Sequence, residues 1–175
     1  MRADQAERQE YRSGGVTWWI DGLGEGYPAE RETQMRIYVA SSWRNTYQPA
    51  VVQVLRESGH EVYDFRHPAP GDDGFAWTEI DPAWLSWTPE QYRAALQHPR
   101  AQVGFTHDQL ALQRADVTVL VLPCGRSAHL ELGYAAGVGQ RTAVLMLEPC
   151  EAELMYLLVD RVCLSIDELQ MFLRE

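Results

Sequence analysis

The stretch that decides the fold is VTVLVLPCGRSAHLELGYAAGVG, residues 117–139. Its first part, Val117–Leu122, is a continuous apolar run rich in β-branched side chains, which is typical of a strand buried on both faces. A turn of small and polar residues follows, and a helix is predicted from His129 to the glycine-rich end at Gly139. A buried strand that leads through a short turn into a helix indicates a parallel sheet covered by helices.

The same alternation extends through the chain from Met35 onward. Strands are predicted at 36–40, 60–65, 117–122, 142–147 and 161–164. Helices are predicted at 47–58, from Thr88 onward, at 100–114, 129–139 and 151–158, and after a capping box at 165–168. Five strands that alternate with helices predict an α/β fold, namely a flavodoxin-like, doubly wound, five-stranded parallel sheet with helices on both faces.

Composition argues against several classes of protein. The 175 residues suffice for one domain, or for one domain and a tail, and their net charge of −10 disfavours binding to nucleic acid or to anionic lipid. There is no apolar run long enough to span a membrane and no secretion signal, so we expect a soluble, cytoplasmic protein. Three Cys without a CxxC motif, and five His without paired spacing, predict neither a disulfide framework nor a metal site.

The chain has two parts of different character. Residues 1–34 hold many glycines around one apolar cluster, Val16–Ile20. This N-terminal arm is either partly disordered or packed as a short hairpin, or it is an extension of a minimal domain that begins at Met35. Its Trp18–Trp19 pair favours packing on a partner subunit. Within the domain at 35–175, the Trp-rich loop at 66–88 has the length of a lid or binding loop.

Ligands of doubly wound folds bind at the carboxyl ends of the strands, which selects the loops after Ala40, Phe65 and Pro123. The loop after Pro123 leads to a helix N-terminus, which favours an anion or a carboxylate. Glu131, near the first turn, either faces the crevice or is a solvated surface acid. His129 is likewise either a ligand-facing donor or a solvated side chain.

The loop after Ala40 carries hydroxyls, an Arg and an amide before a predicted helix. It is suited to holding a phosphate or a sugar, although Asn45 or Thr46 alternatively only caps the helix. It contains no P-loop, and the chain has no dinucleotide-binding glycine motif. Cys124 is interpreted as a small buried residue, because no base is identifiable beside it.

From Met35 onward the chain resembles the nucleoside 2-deoxyribosyltransferase-like superfamily, which includes nucleoside deoxyribosyltransferases and nucleotide N-glycosidases. The resemblance rests on Ile37–Ala40 as the first strand, on Asp108 in its helix and on ADV at 115–117. Its strongest element is ELGYA at 131–135, followed by Gly139.

The resemblance implies a reaction and two catalytic residues. In that superfamily the Glu of the ELGxA motif is the nucleophile, which corresponds to Glu131 here, and Asp108 matches the acid that orients the sugar or the base. The implied reaction is cleavage of the N-glycosidic bond of a nucleotide or nucleoside through a covalent glycosyl–Glu intermediate, as in retaining glycosidases. It implies no cofactor and no metal.

The chain departs from deoxyribosyltransferases just before Glu131. They carry an acidic base-binding loop there, whereas this chain has CGRSAH at 124–129, which suits a phosphate better. The residues expected to bind the substrate are Tyr38, Ser41, Ser42, Arg44, Gly125, Arg126, Ser127 and His129, with Trp77 stacking on the base.

Two alternative functions stay open. One is a TIR-like enzyme that cleaves NAD, and the other is a non-catalytic nucleotide-binding sensor or interaction module on the same fold. A Glu131 enclosed beside Asp108 favours an enzyme, whereas a Glu131 in a surface salt bridge excludes it. For either enzyme or sensor we expect a small-molecule partner and, from the resemblance and the Trp18–Trp19 arm, a homodimer or larger homo-oligomer.

Overall fold

The computed structural model describes residues 34–175 in full and, before them, the backbone of three strands. These strands are β1 (Gln9–Ser13), β2 (Val16–Ile20) and β3 (Gly26–Pro28), which form an antiparallel sheet in that order. Contacts divide the chain into Met1–Thr33 and Gln34–Glu175. The disorder predicted for part of the N-terminal arm concerns residues outside those described, and its packing on a partner subunit stays a prediction.

The second unit is built on five parallel strands. They are β4 (Arg36–Ala40), β5 (Glu61–Tyr63), β6 (Val117–Val121), β7 (Arg141–Leu145) and β8 (Arg161–Cys163). The spatial order is β5-β4-β6-β7-β8, and each neighbouring pair is parallel. Counted within this unit the order is 2-1-3-4-5, which confirms the predicted flavodoxin-like, doubly wound fold.

Helices cover both faces of this sheet. They are α1 (Gln48–Glu57), α2 (Pro89–Ala95), α3 (Pro99–Arg114), α4 (Arg126–Gly137) and α5 (Ile166–Arg174). Apolar residues of α1 and α5 pack on one face, and those of α3 and α4 pack on the other. Every residue of β6 is buried, as the apolar run predicts. Among the described residues no helix is both long and apolar enough to cross a membrane.

Helix α4 begins at Arg126, three residues before the predicted start. Gly125 is extended and precedes the first helical residue, while Ala128 is fully buried against the sheet. This packing extends the helix toward β6, so Glu131 lies in the second turn and not near the first. The difference matters because a side chain in the second turn is set back from the free N–H groups of the helix end.

Two other predicted elements are shorter in the structure. The helix expected at 151–158 is only a 3-10 turn at Leu154–Leu158, which begins where the Glu153 carboxylate accepts the Met155 N–H. Strand β5 ends at Tyr63, because Asp64 starts a turn in which its carbonyl accepts the N–H of His67 at 2.9 Å. The Trp-rich loop contains two 3-10 turns and ends at Thr88, which caps α2 as predicted.

Candidate active site

Glu131 is a shielded carboxylate at the carboxyl edge of the sheet. Burial and, to a smaller extent, the charge of Asp108 raise its pKa to about 7, although the nearby Tyr38 hydroxyl acts in the opposite direction. No cationic side chain within residues 34–175 forms an ion pair with it. Glu131 is therefore not a solvated surface acid, and it titrates close to neutral pH.

Asp108 provides the second carboxylate, from the middle of α3. Its Oδ1 accepts a hydrogen bond from the Tyr63 hydroxyl at 2.8 Å. Burial raises the pKa of Asp108 above its ordinary value, although the Tyr63 bond and the neighbouring His107 lower it. The charge of Asp108 disfavours the ionisation of Glu131, so the two carboxyl groups lie near enough to interact.

Tyr38 and Tyr63 connect the acids to the sheet. They are paired across β4 and β5, and their rings stack with centroids 5.2 Å apart and an interplanar angle of 16°. Tyr38 is buried, and its hydroxyl has no partner at hydrogen-bond geometry among the described residues, although it lies near enough to Glu131 to lower that group's pKa. Tyr63 was not singled out in the sequence; its only signal was a polar aromatic residue in the strand next to Tyr38.

The loop after β4 is tied to the loop after β6. Asn45 donates from its side-chain nitrogen to the carbonyls of Val121 and Pro123, at 3.1 and 2.9 Å. Its side-chain oxygen accepts the N–H groups of Tyr47 and Gln48 and so satisfies the first N–H of α1, although the N-cap residue itself is Tyr47. The bonds bring the predicted phosphate-binding residues of the two loops to the same edge of the sheet.

Some of the predicted substrate-binding side chains of these loops are already hydrogen-bonded, and others are not. Ser41 donates its hydroxyl to the carbonyl of Val121 at 2.8 Å. Arg44, Arg126 and Ser127 are exposed, and no hydrogen bond or ion pair links their side chains to other described residues. Ser42 is half-buried and Gly125 is exposed. The two arginines are therefore available to an anionic ligand.

His129 lies next to Cys124, and its ring nitrogens contact two other groups. His129 Nδ1 lies 2.9 Å from the carbonyl of Gly125, and Nε2 lies 3.0 Å from the Tyr156 hydroxyl. Because a carbonyl only accepts, we assign the proton to Nδ1. That nitrogen therefore has no free lone pair for the Cys124 thiol at 3.4 Å, whose pKa burial raises to about 11. This geometry does not activate Cys124 as a nucleophile.

Trp77 lies inside an aromatic cluster of the Trp-rich loop. Its ring meets Phe75, Trp87 and Tyr92 edge-on, with centroids 4.8, 5.6 and 5.9 Å apart. These contacts fix Trp77 within the loop, and its stacking on a base stays a prediction. The loop is itself held by Arg100 of α3, which binds Glu79, Asp72 and the carbonyl of Gly74.

Two cavities lie next to residues named above. One of about 430 Å³ has Tyr63 and His107 in its wall, and another of about 650 Å³ is lined by Trp43, Asp72 and Arg100 among others. Glu131 lines neither, so the site is defined by the carboxylates and their tyrosines and not by these two cavities. Among the described residues no group of three or more His, Cys, Asp or Glu side chains could hold a metal ion.

Comparison with known proteins finds no matching family model and no matching curated relative. Several solved structures are similar to this chain, and they include two enzymes. The 2-deoxyribosyltransferase of the psychrotolerant bacterium Bacillus psychrosaccharolyticus has 20% identity and a TM-score of 0.49, over 77% of this chain and 89% of that one. The CMP N-glycosidase BcmB of Clostridium botulinum has 16% identity and a TM-score of 0.44, over 80% and 99%.

Proposed function

We propose that this protein is an enzyme that cleaves the N-glycosidic bond of a nucleotide or nucleoside, with Glu131 as the nucleophile. The observation that carries the proposal is the pairing of Glu131 with Asp108 in a shielded site, where each acid lies beside its own tyrosine. Two interacting carboxyl groups are what a retaining glycosidase needs, one to attack the sugar and one to transfer a proton.

The first step forms an ester. A carboxylate oxygen of Glu131 attacks C1′ of the sugar, the bond from C1′ to the base nitrogen breaks, and Asp108 donates its proton to the departing base. The charge of Asp108 raises the pKa of Glu131, so the two acids titrate as a pair. The step uses the form of this pair in which Glu131 is ionised and Asp108 holds the proton.

The second step releases the sugar. Water, or the nitrogen of a second base, attacks C1′, and Asp108 takes the proton as the bond to Glu131 breaks. Water gives hydrolysis and a second base gives transfer; both outcomes use the same residues. The unpartnered hydroxyl of Tyr38 is placed to donate to Glu131 and hold it in position.

We assign the substrate's phosphate to the joined loops after β4 and β6. Ser41, Ser42, Arg44, Gly125, Arg126 and Ser127 lie on these loops, which Asn45 ties together. Two exposed arginines near a carboxyl-end crevice favour an anionic substrate in a chain that is otherwise strongly acidic. A nucleoside monophosphate is therefore the preferred substrate class.

The test is release of free base from a panel of nucleosides, nucleoside monophosphates and NAD, measured by chromatography. The proposal expects release from one class by the wild type, and loss of at least about a thousandfold in Glu131→Gln and Glu131→Ala. Glu151→Gln, an exposed acid, is the matched control and keeps full activity. Binding of a nucleotide without any release would favour a sensor, and release from NAD alone would favour a TIR-like activity.

Assembly and location complete the proposal. We expect a homodimer or larger homo-oligomer that acts in the cytoplasm. Light scattering on the purified full chain measures the oligomeric state. A mass equal to that of a single chain at micromolar concentration would contradict the expected oligomer.

A further inference from the structure

Arg66, which follows β5, binds the main chain of the loop after β4. Its Nη2 donates to three carbonyl oxygens of this loop, those of Ser42, Trp43 and Asn45, at 3.1, 3.1 and 2.8 Å. The guanidinium also lies 5.7 Å from the centroid of the Trp43 ring. A single nitrogen therefore donates to three main-chain carbonyls of the same turn.

The position of Arg66 is itself fixed by a buried network. Its main-chain N–H donates to Asp64 Oδ1 at 3.1 Å, and the side-chain amide of Gln48 donates to the same oxygen at 2.8 Å. Gln48 and Asp64 are both buried. The Nε of Arg66 is buried without a partner among the described residues, so the side chain is held there at a cost in solvation.

The three bonds determine where the neighbouring N–H groups point. In a planar trans peptide the N–H is directed opposite to the C=O of the preceding residue. The N–H groups of Trp43, Arg44 and Thr46 therefore point away from Arg66. None of them has an acceptor within residues 34–175. Those of Trp43 and Arg44 are successive, and unpaired N–H groups of successive turn residues bind anions. The Asn45 N–H between them and Thr46 is donated to the carbonyl of Ser42.

We propose that Arg66 is a positioning residue that holds the loop after β4 as a receptor for the phosphate of a nucleoside monophosphate. It acts through the loop: by binding the carbonyls, it leaves the opposite N–H groups free for the phosphate oxygens. The inference rests on the proposed function and deepens it, because it explains how this loop would select a phosphorylated substrate.

The test compares three variants of the full chain. Arg66→Met removes the donor but keeps an apolar stem beside Trp43. Arg66→Lys keeps three donors on one nitrogen, which suffices here because all three carbonyls converge on a single atom. Arg56→Met is the matched control, since Arg56 donates to one carbonyl, that of Val62, from α1.

The measurements are kcat and KM for a nucleoside monophosphate and for the matching nucleoside, with the affinity for inorganic phosphate by calorimetry. Arg66→Met is expected to raise KM for the monophosphate, and to weaken phosphate binding, by at least about tenfold. The KM for the nucleoside, and the kcat for both substrates, should stay within about twofold of the wild-type values. Arg66→Lys should recover most of the loss, and Arg56→Met should match wild type.

Equal losses with both substrates would overturn the inference, because they would assign Arg66 a role in stability only. So would an Arg66→Lys that is as weak as Arg66→Met, or an Arg66→Met that behaves as wild type. If the wild type cleaves nucleosides but binds no phosphate, this inference fails and the proposed function stands. If it binds phosphate but releases no base, the proposed function fails, and the phosphate affinities of the variants still decide the role of Arg66.

Discussion

Tyr38 and Tyr63 are opposite one another on neighbouring parallel strands, and their stacked rings serve different carboxylates. Tyr63 donates to Asp108 at 2.8 Å, whereas the Tyr38 hydroxyl lies beside Glu131. The strand register therefore sets the relative position of the two tyrosines, which lie beside acids carried by α3 and α4. Because β4 and β5 lie in a close-packed sheet, this arrangement is rigid before any substrate binds.

Tyr63→Phe tests the link between the tyrosines and the acids. The variant keeps the stacked ring but loses the hydrogen bond that lowers the pKa of Asp108, so that pKa should rise. Asp108 donates its proton in the proposed first step, so the limb of the pH profile of kcat/KM that reports Asp108 should move to higher pH. Tyr47→Phe is the control, because it also removes a tyrosine hydroxyl that donates to a carboxylate, but this carboxylate is the exposed Glu148 and not Asp108. A pH profile of kcat/KM that is unchanged in Tyr63→Phe would contradict the assignment of Asp108 as the acid.

Glu131 is predicted to destabilise the folded protein at neutral and alkaline pH. Its folded pKa of about 7 lies above the ordinary value of 4.5. Below pH 4.5 the carboxyl is neutral in both states, and as pH rises from 4.5 to 7 only the unfolded state ionises. The free energy of unfolding should therefore fall across this window, by up to about 3 kcal/mol, and then level off.

Glu131→Gln isolates this effect. Urea unfolding at pH 4 and pH 8 should show a smaller loss of stability with rising pH in the variant than in the wild type, since an amide does not ionise. The exposed Glu151→Gln should retain the wild-type dependence. If Glu131→Gln and the wild type lose stability equally between the two pH values, the carboxyl is not shielded as described.

Gly74 and Gly71 form a matched pair for testing the packing of the Trp-rich loop on the loop after β4. Both have positive φ, +79° and +78°, but a Cβ at Gly74 would lie 2.5 Å from the Phe65 carbonyl and 2.8 Å from the Trp43 ring. A Cβ at Gly71 meets nothing within 4 Å. Gly71→Ala should cost about 1 kcal/mol of stability, and Gly74→Ala about 2–4 kcal/mol, because strain and overlap combine. Equal costs by urea unfolding would show that the two loops do not pack as described.

The fold follows from features that are local in sequence. The apolar run at Val117–Val121, the helix start at Thr88 and the strand–helix alternation each depend on residues a few positions apart, and each is found in the structure. The start of α4 depends instead on Ala128 packing against the sheet. That contact is not visible in the local pattern, and the predicted start was three residues late.

The site is less predictable because its contacts are distant in sequence. The Tyr63–Asp108 bond spans 45 residues, and Asn45 reaches Val121 across 76. Arg66 carries no motif, and its role arises only when the turn after β5 folds beneath the loop after β4. The sequence leaves open whether His129 faces a ligand; its ring lies between the Gly125 carbonyl and the Tyr156 hydroxyl, and its part in binding stays a prediction. The roles proposed for Glu131 and Asp108 follow from the resemblance, whereas their electrostatic interaction follows from the fold.

The most direct test of the account is to look for a sugar ester on Glu131. The wild type is incubated with the cleaved substrate or its 2′-fluoro analogue, whose electron-withdrawing fluorine slows breakdown of the intermediate; it is then quenched with acid, digested and examined by mass spectrometry. The account predicts one added sugar, or sugar phosphate, on the peptide that contains Glu131, and none in Glu131→Gln. Base release at the wild-type rate by Glu131→Gln, or an adduct on a different residue, would contradict it.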